Sequence, residues 1–143
     1  MRLTFAHRAT LACLMLPLLA SAQTVLITPN EAKLPDAKPA TTRAITRGPA
    51  IKLLTPQEVS ANSFNLKIAL EARGGAKIDP HTLRVEYLKD PAVDLTNRVT
   101  AGLKGDAIDL SQVTVPQGQH TFKVSVADSE GRQTSQTISL TAK

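Results

Sequence analysis

Between Val115 and Leu140 the chain alternates its side chains with a period of two, a pattern that few folds accept. His120, Phe122, Val124 and Val126 fall on one side of an extended segment; Thr121, Lys123, Ser125 and Ala127 fall on the other. That spacing predicts a β-strand with one buried face. Pro116 and Gly118 set a bend before it, and Asp128-Ser129-Glu130-Gly131 closes it. Asp128 is placed to accept from backbone amides ahead of it, and Gly131 is free to take positive φ. Ile138 and Leu140 then point back to the same core. The whole reads as corner, strand, tight turn and strand.

The rest of the C-terminal portion has the same grammar. Phe64, Leu66, Ile68 and Leu70 alternate with Asn65, Lys67, Ala69 and Glu71, which predicts a second strand between a core and water. Arg73-Gly74-Gly75-Ala76 ends it as a turn. Ahead of it, Ile51 to Leu54 lie between Pro49 and Pro56, a placement that suits an edge strand opening the domain. Leu83, Val85 and Tyr87 mark a further strand after the turn initiator Asp79-Pro80. Val93, Leu95 and Val99 predict a return across the other sheet, and Ile108 with Leu110 another short strand. No amphipathic helical spacing and no internal repeat is visible. About seven strands in 95 residues, with turn signals between them, predict an all-β fold: one antiparallel β-sandwich over residues 49–143.

The N-terminus has a different character. Arg2, His7 and Arg8 precede an apolar run from Ala9 to Ala20, and Ala20-Ser21-Ala22 has the small-x-small form of a signal-peptidase site. Residues 1–22 are therefore expected to be a signal peptide, cleaved after Ala22. The run is too short for a hydrocarbon core, which needs about 20 residues, so no transmembrane segment is expected after cleavage. Cys13 is a poor candidate for lipid attachment, because cutting there leaves almost no apolar segment before it. Removing 22 of the 143 residues leaves 121 and takes away the single cysteine, so no disulfide is expected. Fifteen basic residues then face 12 acidic ones, spread along the chain, which gives no nucleic-acid footprint. No Asn-x-Ser/Thr sequon occurs. A bacterial periplasm or the exterior suits these features. Residues 23–48, with Pro29, Pro35 and Pro39 among Ala, Thr, Lys and Asp, are expected to be a disordered, mildly basic linker. Within it only Val25-Leu26-Ile27 is able to add as a strand to another sheet edge.

Three pieces together resemble the bacterial immunoglobulin-like domains of exported proteins. They are Ile78-Asp79-Pro80-His81-Thr82-Leu83-Arg84-Val85, then Val93-Asp94-Leu95-Thr96, then Val115 to Asp128 with Gly131-Arg132. The resemblance covers about Pro49 to Lys143. It implies a sandwich in which a Gly-x-His step opens a late strand and an Asp-x-x-Gly turn follows it. The cysteine pair and core tryptophan of antibody domains are absent. By the same resemblance His120 stands where related sandwiches carry a corner tyrosine, which implies a structural ring bonded to backbone near Pro116 and Gly118.

Chemistry-bearing residues are sparse. His81 and His120 are the only histidines after the leader, and nothing in their spacing brings them together for a metal. The pairs Asp106/Asp109 and Asp90/Asp94 lack the dense oxygen spacing of a calcium loop. There is no Gly-x-Ser-x-Gly elbow, phosphate loop or His-Glu-x-x-His. Neither catalytic residues nor a cofactor are expected. Phe64, Tyr87 and Phe122 fall on inward faces, which leaves no aromatic platform. One feature stands apart: Gln133, Ser135, Thr137, Ser139 and Thr141 give the last strand an uncharged polar face, and an edge without charge or proline accepts another chain's strand. Gln133, Ser135, Thr137 and Ser139 are thus the candidate partner-binding edge. The expected function is a non-enzymatic binding or structural module of the envelope, its partner an envelope protein or wall polymer. The alternative is a small periplasmic metal carrier or enzyme with a loop-built site.

Overall fold

The alternating segments become strands in two mixed sheets. The computed structural model describes residues 22–38 and 47–143; the signal-peptide assignment, apart from Ala22, and residues 39–46 of the expected linker lie outside them. In chain order the elements are β1 (Thr24–Val25), α1 (Pro29–Ala32), β2 (Ala50–Leu53), β3 (Glu58–Val59), β4 (Phe64–Glu71), β5 (Ile78–Tyr87), β6 (Val93–Asp94), α2 (Thr96–Thr100), β7 (Leu103–Lys104), β8 (Ala107–Thr114), β9 (Gly118–Asp128) and β10 (Gln133–Ala142). One sheet runs β1-β8-β4-β2, with β7 also paired to β8; the other runs β3-β10-β9-β5-β6.

The period-2 pattern decides which side chains enter the core. Leu66, Ile68 and Leu70 of β4 are buried while Asn65, Lys67 and Glu71 are exposed. In β9 His120, Phe122, Val124 and Val126 are buried, and from Ser125 to Asp128 both faces of the strand are covered; in β10 the buried residues include Ile138 and Leu140. Leu66 and Ile68 of one sheet share a small apolar void with Val85, Phe122 and Leu140 of the other, so both layers close on one core. The all-β class thus stands, and β2 lies at an edge as its flanking prolines require.

Three expectations are corrected. The sheets are not purely antiparallel: β1 runs parallel to β8, and β3 parallel to β10. These are two-residue additions that approach existing edges from distant parts of the chain, and no tight hairpin forces them antiparallel. The strand expected through Val93, Leu95 and Val99 is instead β6, paired to β5 in the same sheet, followed by the single helical turn α2. Asp94 Oδ1 accepts from the Thr96 amide at 2.8 Å and turns the chain. Leu95 and Val99, four apart, then both point inward with almost no exposed surface.

The third correction concerns the linker. Far from being a solvated spacer, residues 24–37 are a strap laid along the sandwich. Leu26 and Ile27 are each 1% exposed and belong to the main core. The Leu26 amide donates to the Thr114 carbonyl and extends the β1 pairing. Thr28 and Glu31 form a reciprocal capping box around α1, with Pro29 in its first turn. Arg98 grips the strap with a bidentate pair to Glu31, 2.8 Å on each arm, and also donates to the Leu26 carbonyl. Farther along, the Asp90 amide donates to the Pro35 carbonyl, the Ala37 amide donates to the Leu88 carbonyl, and Lys89 pairs with Asp36. Mean composition suggested disorder, but two buried apolar residues and a few well-placed polar ones suffice to dock so short a segment.

Candidate functional site

In β10 the backbone, more than the side chains, makes the candidate site. Its ladder with β9 keeps one register from Gln133↔Ala127 to Ala142↔Gly118 without a shift. At one end the Asp128 amide donates to the Arg132 carbonyl, so even-numbered residues of β10 turn their N–H and C=O groups toward β9. At the other end the Thr141 amide donates to the Gln57 carbonyl and the Lys143 amide to the Val59 carbonyl, both on the far side of β10. Odd-numbered residues therefore turn their backbone groups outward. Those are the groups of Gln133, Ser135, Thr137 and Ser139.

Among the described residues, β3 is the one strand on that outer side, and it pairs only with Thr141 and Ala142. No strand among the described residues pairs with residues 133–139 on that side, and Gly48 packs against the Arg132 carbonyl and Thr134 at the hairpin end. All four residues predicted for the edge are exposed. Their side chains project from the outer face of the sheet, where Ser135 Oγ meets Ser125 Oγ at 2.7 Å and Ser139 Oγ meets Thr121 Oγ1 at 3.3 Å. No charge sits within the window. Charge gathers at its ends: Glu130 and Arg132 at the hairpin, Glu58 and Lys143 beside β3.

The hairpin that begins the edge is held by Asp128, whose side chain is fully buried. Its Oδ1 accepts from the Glu130 and Arg132 amides, each at 3.0 Å, and its Oδ2 accepts from Arg132 Nε at 2.8 Å. Burial pushes the Asp128 carboxyl up, but the bonds from Arg132 and Glu130 outweigh it and hold it below the usual range. Gly131 takes φ of 76°, the conformation the tight turn requires.

The corner before β9 is a second buried polar group. His120 is 2% exposed, and its Nε2 lies 2.6 Å from the Pro116 carbonyl, four residues back. A carbonyl can only accept, so Nε2 carries the proton; in the neutral ring Nδ1 then accepts from the Tyr87 hydroxyl at 2.8 Å. Tyr87 packs between His120 and Phe122, and Lys89 Nζ lies 5.3 Å from the centre of its ring. Burial pushes the Tyr87 hydroxyl up, while its bond to Asp36 pushes the Lys89 ammonium up against the opposing effect of burial. Tyr87 and His120 are closed off from solvent with all their polar atoms used, so the cluster fastens β5, β9 and the strap together and offers no room for a substrate. Pro116 and Gly118 frame the corner, Gly118 with φ of 125°.

The remaining candidates do not converge. His81 is exposed and its amide donates to Asp79, far in role and burial from His120. Asp94 is spent on the Thr96 turn. Among the described residues, no group of three or more His, Cys, Asp or Glu is arranged to hold a metal, and no helix is long and apolar enough to cross a membrane. Sequence reasoning missed the Arg98–Glu31 clamp and the Lys89–Asp36 pair, which join residues more than fifty positions apart. The capping-box spelling Thr28-Pro-Asn-Glu31 was the one local signal that the strap had structure. Compared with known proteins, the chain matches no family model, no curated protein and no solved structure.

Proposed function

We propose that this chain is an exported, non-enzymatic immunoglobulin-like module of the bacterial envelope that binds its partner by taking a strand along β10. The observation that carries the reading is the lane beside Gln133, Ser135, Thr137 and Ser139, which no strand among the described residues fills: outward backbone donors and acceptors, no charge, no proline. Strand addition supplies affinity from such groups and leaves specificity to alternate side chains. The immunoglobulin-like assignment draws support from two facing sheets, from His120 bonded back to Pro116, and from the Asp128–Gly131 hairpin. Export rests on the basic start, apolar run and Ala20-Ser21-Ala22 site in the sequence.

A photo-crosslinking residue installed at Thr137 in living cells tests the reading. It is expected to yield a discrete adduct with an envelope protein or polymer, whereas the same residue at Lys52, on the β2 edge of the other sheet, yields none. Equal labelling from both positions would remove β10 as the binding edge. Native mass spectrometry with added metal ions, run beside a hydrolase panel, covers the carrier or enzyme alternative; stoichiometric metal uptake or turnover would displace the binding reading.

A further inference from the structure

We propose that the strand taken up by β10 is β10 of a second copy of this chain, joined antiparallel about a two-fold axis. The proposal rests on the edge reading above and names its partner. The window, unpaired on its outer side among the described residues, is its own complement. If two such edges face each other antiparallel with Gln133 opposite Ser139 and Ser135 opposite Thr137, every outward-facing residue meets an outward-facing residue. Both directions of each pairing are then satisfied, giving about eight backbone hydrogen bonds, two per paired position.

The structure also fixes that register. Past Ser139 the lane is filled by Gln57 to Val59, since Thr141 and Lys143 already donate to the Gln57 and Val59 carbonyls. Before Gln133 the chain leaves the lane at the hairpin, where Arg132 is drawn in by Asp128. Only residues 133–139 of both copies fit between these two stops. A slip by one residue would oppose inward-facing backbone to outward-facing backbone and lose the ladder.

Charge agrees with the pairing. Nothing in the window is ionised, so no like charges oppose each other across the axis. Each copy's hairpin end, with Glu130 and Arg132, meets the other copy's β3 end, with Glu58 and Lys143. Both ends carry one cation and one anion, so the two-fold brings mixed charge to mixed charge at both places. The outer-face Ser and Thr side chains are small enough to leave the new ladder unobstructed. The joined sheet has ten strands, and the small contact belongs to the weak, reversible class of interface.

The full chain, expressed with its own leader and purified from the exported fraction, provides the test. Sedimentation equilibrium up to about 1 mM, a concentration at which even weak self-association registers, is expected to show a monomer–dimer equilibrium. Thr137→Pro removes a donor that points away from β9, so the β9 ladder survives while the lane is blocked; it is expected to weaken dimerisation at least tenfold with the circular dichroism spectrum unchanged. Should that variant fail to fold, Ser135→Lys with Thr137→Lys places lysines opposite lysines and is expected to do the same. The double variant Ser135→Cys with Thr137→Cys is expected to oxidise to a covalent dimer, whereas Lys52→Cys stays monomeric. A wild-type chain monomeric throughout this range overturns the proposal, as does a dimer that survives the block at Thr137. A monomer whose Ser135 and Thr137 amides exchange slowly, the sign of an edge filled from its own chain, overturns it too. A monomer that still gives Thr137 adducts with a different envelope component removes self-pairing alone and leaves the binding edge in place.

Discussion

Replacing Leu26 by Ala measures whether the strap is part of the fold. Leu26 is 1% exposed and lines the apolar void between the sheets together with Leu66, Val99 and Phe122. Truncation there enlarges an existing gap whose walls belong to both sheets, so the surroundings cannot collapse to fill it. Leu-to-Ala changes at such sites cost about 2–5 kcal/mol, and the rigid surroundings favour about 3 kcal/mol. The backbone bonds to Thr114 and Arg98 hold the strap near its place, so the loss is of packing and not of the whole segment. With an unfolding entropy of about 2.1 cal/mol/K per residue, each kcal/mol moves Tm by about 4 °C in a chain of this size. Calorimetry on the exported chain is therefore expected to show a drop of about 12 °C, and urea titration a lower midpoint at an unchanged slope. Lys33→Ala, an exposed change in the same strap, should move Tm by no more than about 2 °C. If Leu26→Ala moved it as little as Lys33→Ala does, the strap would be a solvated tether, and the account of Leu26, Ile27 and Arg98 would fall with it.

Other expected outcomes follow from the polar fastenings. The Arg98 guanidinium, with help from Thr28, holds the Glu31 carboxyl at about 2, down from 4.5, against the opposing effect of burial. Because the folded-state value is the lower one, the stabilisation is complete above about pH 4.5 and is lost as pH falls toward 2. Allowing for the partly exposed Arg98, this is worth about 1–2 kcal/mol, and Glu31→Gln should lose it at pH 7 and show a shallower fall in Tm between pH 5 and 2. Tyr87→Phe leaves His120 Nδ1 without its donor inside the core and should cost about 1–3 kcal/mol, read by urea unfolding; a change within error would mean that the ring nitrogen finds water instead. Asp128→Ala should lower Tm more than Asp128→Asn, since Asn keeps an acceptor for the Glu130 and Arg132 amides; the gap between wild type and Asn should narrow as pH falls and the carboxyl, charged in the fold at neutral pH, becomes protonated.

What the sequence disclosed is what side-chain alternation can carry. Phe64 to Leu70 and His120 to Val126 each repeat one binary choice several times over, so a strand and its buried face emerge without knowledge of any neighbour. The strap offered no such repetition. Its hold comes from Arg98, 67 residues away from Glu31, and from Thr114, 88 residues away from Leu26. Composition averages over a segment, and here two fully buried residues outweigh six polar ones. The Val93–Val99 stretch failed for a related reason: Leu95 and Val99 fit either period, and a single side-chain bond from Asp94 to the Thr96 amide selects the helical turn.

The edge shows the same divide more sharply. Alternation says that Gln133, Ser135, Thr137 and Ser139 share a face, and their lack of charge marks that face as unusual. It says nothing about which strand lies beside them. That depends on where Glu58 and Val59 arrive, because β3 covers Thr141 and Ala142 and stops there. Had β3 been eight residues longer in the direction of Gln133, the same polar side chains would be an ordinary solvated face over a fully paired strand. The binding argument therefore depends on the backbone amides of Ser135 and Thr137 more than on their hydroxyls. Ser135→Ala with Thr137→Ala, which keeps both amides, should leave the association of β10 with its partner nearly intact, whereas one N-methyl group on the Thr137 amide in a semisynthetic chain should abolish it. The opposite ranking would show that recognition is by the face and not the edge, and strand addition would have to be given up.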